Sequence, residues 1–127
     1  FNLLHRDAIE VERYNRLHPL EEAKLPFVTR QLQGYEGPVI ASTDYIRSFA
    51  DRIRAYIPNN YHVLGTDGFG RSDSRANLRD FFEVDSRHVA VAALSALAEQ
   101  GKVGKEVVQQ AIDKYGIQTD TAPSWKR

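Results

Sequence analysis

Residues 61–75 read YHVLGTDGFGRSDSR, and the order of residue types in that stretch decides the fold. Tyr61, Val63 and Leu64 suit a pleated strand, with little polarity between them. The chain then breaks on Gly65, Gly68 and Gly70, with Asp67 and Phe69 between them. It closes on Asp73 and Ser74, two good helix N-caps, ahead of a helical run from 75 to 82; Asp73 is read as the cap and Ser74 as its alternative. A strand, a glycine turn and a helix N-terminus in that order is how α/β domains build the working ends of their sheets.

The residues upstream supply the partner for that strand. Val39 to Ser42 (VIAS) is short, apolar and β-branched, and predicts a buried strand. Between the two, Asp44 to Ile57 predicts one helix, because Ile46, Phe49, Ala50, Ile53 and Ile57 share a face at 3.6-residue spacing. Pro58-Asn59-Asn60 ends it. Strand, helix, short loop, strand is a βαβ unit, so the strands are expected to be parallel with a right-handed crossover. Phe1 to Leu4 reads as the tail of a strand. Asp7 to Arg16 reads as a solvated helix with Ile9, Val11 and Tyr14 as its apolar contacts. Pro26 opens a short helix over 27–32.

Downstream, Asp85 is placed to cap a helix over 86–100, whose centre VAVAALSALA is apolar on nearly every side. Such a helix is buried on several faces or covered by a second subunit. A last amphipathic helix over 105–115 carries Val107, Val108, Ala111, Ile112 and Tyr115, with Gly116 as its stop. Residues 1–119 form one α/β domain in this reading, and 120–127 a frayed tail.

Composition narrows the function. The 17 Lys and Arg balance 17 Asp and Glu, so no basic field attracts nucleic acid or anionic lipid. Cysteine is absent, which removes disulfide and thiol chemistry. No run approaches a membrane span. The chain lacks methionine and opens on Phe1, and it reads as a processed chain or a fragment.

Candidate chemistry is sparse. None of the four histidines, His5, His18, His62 and His88, pairs with another at zinc-site spacing. His18, in the loop LHPL, is the one retained as a candidate, because functional residues concentrate in loops. The glycine turn, with Gly65, Asp67, Gly68, Phe69, Gly70, Arg71 and Asp73, admits two readings. It cradles an anion against a helix N-terminus, or it lets the chain turn sharply while Phe69 plugs the core and the charged residues pair and cap. It is neither a P-loop, lacking GK[ST], nor a dinucleotide fingerprint. No nucleophile motif is present.

The runs ASTDYIRSFADRIRAYIP, YHVLGTDGFGRSDSRANLRDFFEVD and VAVAALSALAEQGKV, with VERYNRLHPLE before them, carry a resemblance. Together they resemble the C-terminal domain of the homodimeric, bacterial-type pyruvate dehydrogenase decarboxylating component, and more distantly the third domain of transketolases. The resemblance implies a three-layer α/β domain with a mostly parallel mixed sheet flanked by helices, here without its first strand and helix. It implies thiamine diphosphate and magnesium in the full enzyme, held by other domains, so that this chain carries no catalytic, cofactor-binding or metal residue and is inactive alone. The implied partners are the rest of its own chain, a second subunit and the dihydrolipoamide acetyltransferase component, in the bacterial cytoplasm. An independent anion- or small-ligand-binding regulatory domain, using the glycine turn, is the alternative.

Overall fold

The computed structural model describes residues 1–67 and 74–126. Its centre is a pair of parallel strands, β1 (Val39–Ser42) and β2 (Tyr61–Leu64), in the register Val39 to Tyr61 through Ser42 to Leu64. The pairing is parallel because the connection between them is a crossover rather than a hairpin. The helices are α1 (Asn2–Leu17), α2 (Phe27–Leu32), α3 (Arg47–Asp51), α4 (Arg75–Phe81), α5 (Ser86–Glu99) and α6 (Lys105–Tyr115). Helices flank this small parallel sheet: α3 packs on β2, while α5 packs on both strands and carries α6 on its outside. Both described strands are parallel, so the mixed character expected of the sheet rests on no strand among the described residues.

Successive strand residues face opposite ways. Ala41, Tyr61 and Val63 join Val28, Ala50 and Ile53 in the main core cluster, with Phe1, Leu4 and Ile57 packed against it. The Tyr61 hydroxyl is buried with the ring and donates to the Ala50 carbonyl at 2.8 Å, which satisfies it. Burial pushes the phenol's pKa up; the Arg54 guanidinium beside it opposes that shift. Of β1, only Ala41 is buried. The strand is therefore half-buried, not wholly enclosed.

Several expectations are corrected. Phe1 to Leu4 is not a strand tail: Phe1 precedes and Leu4 lies within α1, where Leu4, Ala8 and Val11 form an inward stripe at helical spacing. Ile9, expected to be a contact, is 47% exposed. The single helix over 44–57 is instead α3 followed by a 3-10 turn, Arg54–Tyr56. The reason lies outside the segment. The Asp44 and Tyr45 carbonyls accept from the Thr66 hydroxyl (2.7 Å) and amide (2.9 Å), and the Tyr45 amide donates to the Thr43 hydroxyl. Those bonds hold residues 44 and 45 as a bend after β1, so the helix starts only after Ile46, which is left 56% exposed. Phe49, Ala50, Ile53 and Ile57 face inward as expected.

Helix α5 is shorter and less covered than its composition suggests. Ala96 is its one buried residue, and the other apolar side chains are half-buried. The final segment is not frayed throughout: Ser124–Lys126 forms a 3-10 turn, and the Ser124 hydroxyl donates to the Asp67 carbonyl. Gly116 ends α6 in the left-handed region at φ 64°, as predicted. Among the described residues no helix is long and apolar enough to cross a membrane.

Candidate functional site

The C-terminal ends of the parallel strands open onto a cavity of about 390 Å³. Leu64 and Gly65 form its base, Arg47, Phe82, Glu83 and His88 its sides, and residues 117–119, Thr121 and 123–125 its remaining wall. This is the crevice in which open α/β sheets bind ligands.

Gly65 is the pivot. A Cβ there would lie 2.7 Å from both the Cα and the N of Arg47. The chain after β2 thus lies against the first turn of α3, which only a glycine permits. Asp67 follows, and its carboxylate accepts the Arg47 amide at 3.0 Å and meets the Arg47 guanidinium Nε at 3.4 Å. Asp67 thus pairs with Arg47 at the first turn of α3. Gly68, Phe69, Gly70, Arg71 and Asp73 lie outside the described residues, as does the cap assigned to Asp73. Ser74 occupies the N-cap of α4, its hydroxyl accepting from the Asn77 amide at 3.3 Å. His18 is remote from this cavity. It ends α1, stacks on Tyr14 with ring centroids 4.1 Å apart, and meets the Tyr14 carbonyl through Nδ1 at 2.8 Å.

The opposite side is organised by Asp85. As the N-cap of α5 it accepts the His88 amide at 3.1 Å, and the same oxygen meets His88 Nδ1 at 2.7 Å. Its second oxygen accepts from Arg87 Nη2 at 2.8 Å and Nε at 3.1 Å. Burial works to raise the Asp85 pKa, but the hydrogen bonds from Arg87 and His88 outweigh it and hold the carboxyl at about 2. Arg87 also donates to Asp80 and, at 3.3 Å, to the Tyr115 carbonyl at the end of α6. One guanidinium thereby ties α4, α5 and α6 together. Asp80, Asp85 and His88 are close enough to resemble a metal-ligand set. The cation among them is Arg87 itself, and its charge does not fit a magnesium ion beside it.

Glu83 carries the one positive φ outside glycine among the described residues, 61°. It occupies the left-handed position after α4: its amide donates to the Asp80 carbonyl and the next amide, of Val84, to the Arg79 carbonyl. That is a Schellman cap with glutamate where glycine is usual. Sequence reasoning passed over Arg47 and Trp125, whose positions depend on contacts across 20 or more residues, and Glu83, whose left-handed cap carries glutamate in place of the glycine that signals one. The Asp85–His88 pair was legible in principle, since a capping Asp three residues before a His sets both on one helix turn. His62, expected within the strand, is there; its Nε2 is buried without a hydrogen-bond partner.

A family model described as the transketolase-like TK C-terminal domain matches residues 6–85. Among curated proteins, the chain is 57% identical over 118 residues to the pyruvate dehydrogenase E1 component of Pseudomonas aeruginosa, covering 92% of this chain and 13% of that protein. It is 54% identical over 121 residues to the pyruvate dehydrogenase E1 component of Haemophilus influenzae and 50% identical over 121 residues to that of Escherichia coli K12, each covering 94% of this chain and 13% of the relative. The chain thus spans about an eighth of the length of these relatives.

Proposed function

Because the chain belongs to the transketolase-like C-terminal domain family, we propose that it works as the C-terminal domain of a thiamine-diphosphate-dependent pyruvate dehydrogenase decarboxylating component. The observation that carries this reading is identity of 50–57% maintained over more than nine tenths of the chain. In this reading the full enzyme decarboxylates pyruvate and passes the acetyl group to the lipoyl arm of the acetyltransferase component in the cytoplasm. This domain supplies architecture. Thiamine diphosphate and magnesium supply an electron sink and its anchor elsewhere in the enzyme. Two features support the division of labour. The carboxylates of Asp80 and Asp85 are both ion-paired with Arg87. Helix α5 keeps apolar side chains half-covered, as a face that meets the rest of the enzyme or a second subunit would.

A chimera tests the reading. This chain replaces the matching 118 residues of the Pseudomonas aeruginosa protein, and the product is assayed for pyruvate-dependent acetyl transfer and for cofactor affinity. Retained activity, with thiamine diphosphate affinity within about threefold of the parent (~0.7 kcal/mol), is the expected result. A folded chimera that binds the cofactor and is inactive would overturn the purely architectural role. A folded chimera that cannot bind the cofactor would overturn the division of labour.

A further inference from the structure

We infer that the cavity at the strand ends is a binding site for a small organic monocarboxylate with an apolar body. A guanidinium and an imidazole converge on it, and each is held from behind by an acid. The Arg47 guanidinium meets Asp67 through Nε at 3.4 Å. Its two Nη groups form no hydrogen bond or ion pair with the described residues. His88 is held through Nδ1 by Asp85 at 2.7 Å. That contact places the proton on Nδ1 and directs Nε2, an acceptor in the neutral ring, away from Asp85. Anchoring of this kind fixes a side chain before a ligand arrives and lowers the cost of ordering it on binding. A forked guanidinium with both Nη groups available matches a carboxylate, and charge-assisted hydrogen bonds are the strong ones.

The rest of the lining suits an apolar body. Leu64, Phe82, Ile117, Pro123 and Trp125 supply carbon surface, and the volume of about 390 Å³ lies at the small end of the range for ligand sites. Glu83, the lining carboxylate, is an exposed residue and stands at the rim. The wall formed by residues 117–125 is fastened by Ser124 to the Asp67 carbonyl, so the acid that anchors Arg47 also anchors the wall. This site differs from the anion cradle that one reading of the glycine turn gives: its donor is Arg47, and of the turn's described residues, Gly65 and Asp67, Gly65 lines it.

Trp125 is the sole tryptophan of the chain and lines the cavity, so its fluorescence reports occupancy directly. The probes are benzoate, the neutral isostere benzamide, and N-acetylphenylalanine, whose carboxylate stands for a peptide C-terminus. Benzoate is expected to give a saturable change, with benzamide at least about tenfold weaker. Arg47→Gln, at a side chain 52% exposed, is expected to erase that preference while leaving benzamide binding unchanged. A tighter fit for N-acetylphenylalanine than for benzoate assigns the carboxylate to a peptide end; the reverse assigns it to a free acid. Equal binding of benzoate and benzamide, or no saturable change with any probe, overturns the inference. So does an Arg47→Gln variant that still prefers benzoate.

Discussion

Replacing Arg87 with Met removes the tie among three helices while keeping the length and the apolar stem of the side chain. Three contacts are lost at once: the forked pair on Asp85, the bond to Asp80, and the bond to the Tyr115 carbonyl at 3.3 Å. The Arg87 side chain is 37% exposed and that of Asp85 19%, so the pair lies between the surface and buried regimes. Hydrogen bonds to charged groups contribute about 1.5–3 kcal/mol, and solvent screening favours the lower half of that range here. The expected loss at pH 7 is therefore about 2 kcal/mol. Acid provides an independent signature. Asp85 has its folded pKa lowered from the usual 3.8 to about 2, so its stabilisation is fully present above about pH 4 and is lost as pH falls through about 2. That contribution is on the order of 1–2 kcal/mol once its partial exposure is allowed for. Without Arg87 the carboxyl pKa moves back toward its usual range, and the stability lost between pH 4 and pH 2 shrinks. Urea melts followed by circular dichroism at pH 7, 4 and 2.5, for parent and Arg87→Met, measure both quantities. A loss below about 0.5 kcal/mol at pH 7, with an unchanged acid slope, would refute the assignment of Arg87 as the tie.

Gly65→Ala forces a Cβ to within 2.7 Å of the Arg47 backbone, and a cost of about 1–3 kcal/mol is expected from the shift it imposes; a melt that matches the parent would mean the two segments separate freely. Glu83→Gly relieves a left-handed φ of 61° and should raise stability by about 1 kcal/mol, read as a higher urea midpoint at constant slope; a lower midpoint would mean that the glutamate side chain contributes more than the strain costs.

Local chemistry alone determined a good part of this molecule. The two parallel strands, the Asp85 cap, helix α6 and its Gly116 stop follow from β-branched runs, 3.6-residue spacing and capping residues, which act within a few positions along the chain. Tertiary structure decided the rest. Asp44 to Ile46 have helical spacing with the residues that follow, yet Thr66 takes the Asp44 and Tyr45 carbonyls and holds them in a bend, and a hydrogen bond from more than 20 residues away has no local trace. Phe1 to Leu4 is apolar enough for either state, and contact with the core cluster at one helical face selects the helix. The cavity is the clearest case. Gly65 and Asp67 were legible as a turn, but Arg47, His88 and Trp125 meet only because β2 runs beside β1 and the chain end folds back to Asp67. Convergence of side chains that far apart in sequence is a property of the packed chain, since no short-range propensity encodes it.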